Sequence, residues 1–119
     1  METETLLEKR TSPRKPMRGR GEISAAISDG KWPVDMLDIS AGGISFLSAS
    51  PFAKDSMWLV RLELNEHTVR GVVCIVYCVK HSLTDAYRVG VAFRNLEGQY
   101  QDVINRYLEE TWLVTIHNS

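Results

Sequence analysis

The sequence predicts a mainly β protein: a six-stranded antiparallel β-barrel with a C-terminal α-helix and an extended N-terminal arm. Three observations predict it. Short segments of alternating apolar and polar residues follow one another from about residue 21 to residue 94, each bounded by Gly, Pro, Asn, Asp or Ser. The apolar period then lengthens from two to that of a helix over the last quarter of the chain. The first 20 residues show neither period. A series of short strands joined by turns closes most simply into a small barrel, and a single amphipathic helix buries its stripe most simply across a barrel end.

Each element has its own reason. In the arm, Pro13 and Pro16 block a helix and push their neighbours toward extended backbone. Gly21 to Ile27 alternates loosely and stops at the turn signal Ser28-Asp29-Gly30. Lys31 to Ser40 is a second strand, Gly42-Gly43 a turn, and Ile44 to Ser48 a third strand. Ser50-Pro51 and Lys54-Asp55-Ser56 punctuate a loop. From Met57 to Asn65, Trp58, Val60, Leu62 and Leu64 share one face, with Arg61 and Glu63 on the other. After the turn Asn65-Glu66-His67, a long strand over Thr68 to His81 aligns Val69, Val73, Ile75, Tyr77 and Val79. Tyr87 to Arg94 sets Tyr87, Val89, Val91 and Phe93 opposite Arg88 and Arg94. Tyr100, Val103, Ile104, Tyr107, Leu108 and Trp112 then recur at helical spacing. Asn95 is the expected N-cap, and Glu97 and Asp102 favour the helix start. The expected organisation is an arm over residues 1–20, a barrel with its helix over 21–113 and a tail over 114–119.

Length and composition narrow the function. A chain of 119 residues has room for one core and no large interior cavity. A net charge of −1 excludes a global basic field for nucleic acid. Yet from Lys9 to Arg20 there are six cationic residues and no acid. Such an arm suits a small or local anionic partner, or is simply a solvated basic tail. No apolar run reaches the roughly 18 residues that span a bilayer, and the acidic N-terminus lacks the apolar stretch of a signal peptide, so a cytoplasmic protein without membrane insertion is expected. Cys74 and Cys78 stand four residues apart on one predicted strand face, roughly 14 Å between Cα atoms, where a disulfide needs less than about 7 Å. They read as structural thiols. His67, His81 and His117 lack metal-ligand spacing, and no nucleophile, base and orienting group fall together, so neither a metal nor an enzyme is expected. Trp32, Trp58 and Trp112 read as packing residues, with stacking on a base as the alternative for one of them.

Two motifs remain. Arg10-Thr-Ser-Pro-Arg14 places two guanidinium groups four positions apart on the arm. Guanidinium forks onto phosphate oxygens, pairs bidentately with guanine O6 and N7, and stacks on bases. Arg14-Lys-Pro-Met-Arg18 offers the same spacing in a second register. Asp38-Ile-Ser-Ala-Gly-Gly43 follows one strand later. The Asp38 carboxylate is an acceptor pair matched to guanine N1 and N2 donors, Ser40 adds a small hydroxyl, and Gly42 and Gly43 allow close backbone approach and positive φ. Taken alone, the second motif reads more readily as a turn between strands than as a ligand site.

In this order, and with Val-Gly-Val-Ala-Phe at residues 89–93 downstream, the motifs resemble the signature of the PilZ domain, a bacterial receptor for the second messenger cyclic di-GMP. The resemblance spans roughly Lys9 to Thr111. It implies a non-enzymatic, cytoplasmic receptor that binds cyclic di-GMP, needs no cofactor and passes the signal in trans to an effector protein. In that family effectors include flagellar motor parts, exopolysaccharide synthases, chemotaxis enzymes and transcription regulators, hence motility or biofilm regulation. It implies Arg10, Arg14, Asp38, Ser40 and Gly43 as ligand-binding residues, with Lys9, Arg18 and Gly42 as additional candidates. The run leading into the first strand favours the Arg10/Arg14 register, and Arg14 belongs to both. The ligand number, one cyclic di-GMP or a stacked pair, stays open, as does the effector. Two alternatives are a PilZ-like adaptor that binds no nucleotide, against which both motifs speak, and a small β-barrel for single-stranded nucleic acid. The latter would interleave aromatic and basic residues on one sheet face, and few positions here do so.

Overall fold

The computed structural model describes the backbone of residues 14–118 and the side chains of residues 14–110. Seven strands precede one helix: β1 Lys15–Pro16, β2 Arg20–Ser24, β3 Lys31–Ser40, β4 Gly43–Ser48, β5 Met57–Leu64, β6 His67–Lys80, β7 Tyr87–Asn95 and α1 Gly98–Asn118. All pairings are antiparallel, in the order β1-β3-β2-β5-β6-β7-β4, and β4 returns to pair with β3. That last pairing closes β2 to β7 into a six-stranded barrel, the architecture expected from periodicity, with β1 added as a short seventh strand.

The alternation expected along β5 holds: Val60, Leu62 and Leu64 are buried while Arg61 and Glu63 face solvent. With Ile23, Val34, Ile39, Phe46, Val73, Ile75 and Val89 they fill the barrel interior. One end is plugged by an aromatic cluster in which Phe52 packs edge-on against Trp32, Phe46 and Trp58, with centroids 5.1–6.2 Å apart. Trp58 Nε1 donates to Ser56 Oγ at 2.8 Å. Trp32 and Trp58 are thus packing residues; the Trp112 side chain lies outside the described residues. The other end is covered by α1, whose Ile104 and Leu108 enter the core.

Several local expectations are corrected. Asn95 does not cap the helix, because β7 retains it opposite Val72. The Glu97 carbonyl instead accepts the amides of Tyr100 and Gln101. The helix runs on to Asn118, through the segment expected as a tail. β6 does not keep one face. A bulge between Ile75 and Tyr77 inserts Val76, so Ile75 faces the core, Tyr77 and Val79 face outward, and Cys78 turns inward opposite Val89. Cys74 and Cys78 therefore lie on opposite faces, and both are free thiols. From Arg14 onward the expected arm lies on the barrel: Lys15 pairs with Ile39, Pro16 with Asp38, and buried Met17 donates its amide to the Leu37 carbonyl at 3.0 Å. Gly19, at φ 127°, provides the break between β1 and β2 that only glycine adopts without strain.

Candidate nucleotide-binding groove

The second motif reaches the barrel surface because β3 changes phase. Up to Met36, the even-numbered residues of β3 point inward, with Val34 and Met36 buried. Strict alternation would then bury Asp38. A bulge places Leu37 out of register between the pairs Met36–Phe46 and Asp38–Ser45. Ile39 takes the inward position, fully buried, and Asp38 and Ser40 turn to the outer face. The one extra residue is what turns the end of β3 from an inward-facing to an outward-facing phase.

On that face β1 brings Arg14 to the motif. Arg14 Nε and Nη2 donate to Asp38 Oδ1 at 3.0 and 2.6 Å, and Nη1 donates to Ser40 Oγ at 3.3 Å. Ser40 Oγ in turn donates to the Gly43 carbonyl at 3.4 Å. From β7, Arg88 Nη2 approaches Asp38 Oδ2 at 3.9 Å. These groups border an open groove of about 410 Å³, lined further by Gly42, Val76, Tyr77, Gly90 and Ala92. Two guanidinium groups face one carboxylate, so its charged side chains carry one net positive charge. A concave surface of that sign attracts anions.

The glycines do not act as expected. Neither Gly42 nor Gly43 has positive φ; among the described glycines only Gly19 does. Gly43 is required by packing: a Cβ there would lie 2.1 Å from the Val91 carbonyl oxygen. Gly42 has open space around it. Ser45 sits between Asp38 and Gly90 in the strand register, and its buried hydroxyl has no hydrogen-bond partner.

Of the residues predicted for the site, the fold brings Arg14, Asp38, Ser40, Gly42 and Gly43 to one groove. Arg18 is exposed and does not line it. Lys9 and Arg10 lie outside the described residues. Arg88 and Tyr77 escaped the sequence reading as site residues. Arg88 was legible as an outward position on its strand, but nothing in the alternation says that β7 lies within reach of Asp38. The helix touches both motif segments: Gln101 Nε2 donates to the Ala41 carbonyl at 3.3 Å, and the Tyr107 hydroxyl donates to the Pro16 carbonyl at 3.5 Å. Among the described residues no cluster of three or more His, Cys, Asp or Glu side chains is arranged to hold a metal ion, and no helix is long and apolar enough to cross a membrane.

A closed antiparallel barrel with Arg14, just ahead of β1, laid against Asp38 and Ser40 of β3 defines a class of small β-barrel domain. The PilZ domain family model matches residues 8–110, and the chain belongs to that family. Solved structures agree on the fold. The Bacillus subtilis inhibitor of motility MotI/DgrA superposes with a TM-score of 0.75 at 14% identity, over 84% of this chain and 49% of that one. The K. pneumonia MrkH–c-di-GMP complex gives 0.72 at 17% identity, over 92% and 55%. The PilZ domain of Escherichia coli YcgR, with c-di-GMP, gives 0.68 at 10% identity, over 92% and 96%. The chain spans about half the length of the first two proteins and nearly all of the isolated YcgR domain. Among curated proteins none matches the chain.

Proposed function

We propose that this chain is a cyclic di-GMP receptor that signals by binding rather than by catalysis. The observation that carries the reading is the convergence of Arg14, from the segment leading into β1, with Asp38 and Ser40 of β3 on one positively charged groove. Within the groove these groups satisfy one another. A cyclic dinucleotide offers each a replacement partner: phosphate oxygens for the Arg14 guanidinium, and guanine N1 and N2 donors for the Asp38 carboxylate. Binding is then an exchange of polar partners, with little net loss of hydrogen bonds. Two of the three structures compared above contain c-di-GMP, which supports the same ligand class here.

Arg10, four residues before Arg14, is the proposed second guanidinium, and Lys9 the residue flanking it. Withdrawal of Arg14 from Asp38 would draw the segment before residue 14 onto the groove. The helix contacts to Ala41 and Pro16 would carry the change to a surface that an effector recognises in trans. Isothermal titration calorimetry with cyclic di-GMP tests the reading. A saturable heat, absent with GMP at the same concentration and abolished in Asp38→Ala, is expected. No heat at ligand concentrations up to the millimolar range refutes it.

A further inference from the structure

We infer that the outer face of β2, β5 and β6 around Arg61 and Arg70 receives the chain's own acidic segment, residues 1–8, when no nucleotide is bound, so that docking there competes with cyclic di-GMP. The docking stands on features away from the groove; its effect on binding rests on the reading of the groove as a cyclic di-GMP site. Arg61 on β5 pairs directly with Arg70 on β6. Both are exposed, and like charges directly opposite one another in an antiparallel pair cost stability. Arg61 is partly offset by Glu22 and Glu63, each at 4.0 Å. Arg70 has no ion-pair partner among the described residues. The two arginines and Lys31 border an open cavity of about 540 Å³, where Leu59 pairs with Val72 as an apolar strip. Glu22 and Glu97 also line it, which leaves its charged side chains one net positive charge. An acidic stretch with some apolar side chains fits such a face.

Residues 1–8 have that chemistry: Glu2, Glu4 and Glu8, Leu6 and Leu7, and no Lys or Arg. They also have the reach. Arg14 is anchored beside Ser40, and Arg61 is level with Pro33 through Glu22. From Pro33 to Ser40 is about 23 Å along β3, and β5 lies two strands away, so the span is roughly 25 Å. Glu4, ten residues before Arg14, reaches up to about 34 Å, which leaves length for a turn. The groove lies the other way round the barrel from β3, through β4 and β7. With Arg10 held in the groove, the six residues back to Glu4 span at most about 20 Å, short of Arg61. The segment therefore occupies the arginine face or follows Arg10 to the ligand, and a molecule in the first state must leave it to bind.

Calorimetry with cyclic di-GMP on Arg70→Glu, on Glu2→Lys/Glu4→Lys and on all three changes together tests the competition. Arg70→Glu turns a like-charge pair into an opposite-charge pair, so folding is not at risk. Loss of a surface cation by itself would weaken binding of an anionic ligand; release of the segment does the opposite. Arg70→Glu and Glu2→Lys/Glu4→Lys are each expected to lower Kd about threefold, the weight of one or two exposed ion pairs in the free state. Combined, they restore the attraction with its signs exchanged, and Kd is expected to return to within about 1.5-fold of wild type. A Kd unchanged or raised by Arg70→Glu, or effects that multiply instead of cancelling, refutes the competition. Amide NMR of the ligand-free chain tests the docking itself. The Arg70 and Gly71 resonances are expected to move in Glu2→Lys/Glu4→Lys and to move back in the combined variant. Unmoved resonances refute the docking whatever the ligand does. Shifts that disappear on tenfold dilution place the segment on a second copy and overturn docking within one chain. If the resonances move but the wild-type chain does not bind cyclic di-GMP, the docking stands and the groove reading falls.

Discussion

Arg14→Ala separates a structural contact from a functional one, because the arginine is placed to do both. It donates to Asp38 and Ser40, with its side chain about half exposed at 49% and that of Asp38 at 21%. Both strong contacts go to one carboxylate oxygen, so this is not a parallel fork, and solvent screens it. Its contribution to stability is that of a surface pair, about 1 kcal/mol or less. In a domain of this size that shifts the thermal midpoint by about 4 °C at most. With cyclic di-GMP bound, the same guanidinium would make two charge-assisted hydrogen bonds to phosphate, roughly 1.5–3 kcal/mol each. Subtracting the surface pair given up leaves a loss of about 2–5 kcal/mol, or about thirtyfold or more in Kd. Calorimetry and a thermal melt on the same preparation measure both quantities. Binding within twofold of wild type would remove Arg14 from the site. A drop of more than about 10 °C without ligand would make it a structural residue whose effect on binding is indirect.

Other substitutions probe the neighbouring features. Gly43→Ala is expected to destabilise the free protein by about 2–3 kcal/mol, since its Cβ meets the Val91 carbonyl and not a flexible side chain; a melt within 2 °C of wild type would refute the packing explanation of that glycine. Glu66 occupies the second turn position between β5 and β6 at φ 71°, after Asn65 at 47°. Glu66→Gly removes a left-handed non-glycine residue and should stabilise by up to about 1 kcal/mol in urea denaturation, and destabilisation would show that the Glu66 side chain matters more than the turn. Arg10→Ala is expected to weaken cyclic di-GMP binding more than Arg18→Ala, because Arg18 lies away from the groove; the reverse order, by calorimetry, would shift the arginine pair by four residues.

Sequence alone determined the barrel, its strand order along the chain and its closing helix, because alternation and turn residues are local properties that burial merely enforces. Lys31–Ser40 could be bounded to the residue, and Val60, Leu62 and Leu64 assigned inward, from neighbours two positions apart. It also singled out Arg14, Asp38 and Ser40 by residue type and spacing. Tertiary structure decided which way these residues face. The bulges at Leu37 and Val76 each slip the side-chain phase by one, turning Asp38, Ser40 and Tyr77 outward, and a slip of one residue depends on how the partner strand is paired. Gly43 reads in sequence as a turn glycine, yet its necessity comes from Val91, 48 positions away. Arg88 joins Asp38 only because the sheet closes, placing β7 one strand beyond β4. Local pattern specifies each strand. Closure of the sheet specifies which residues meet, because that depends on register summed around the whole barrel.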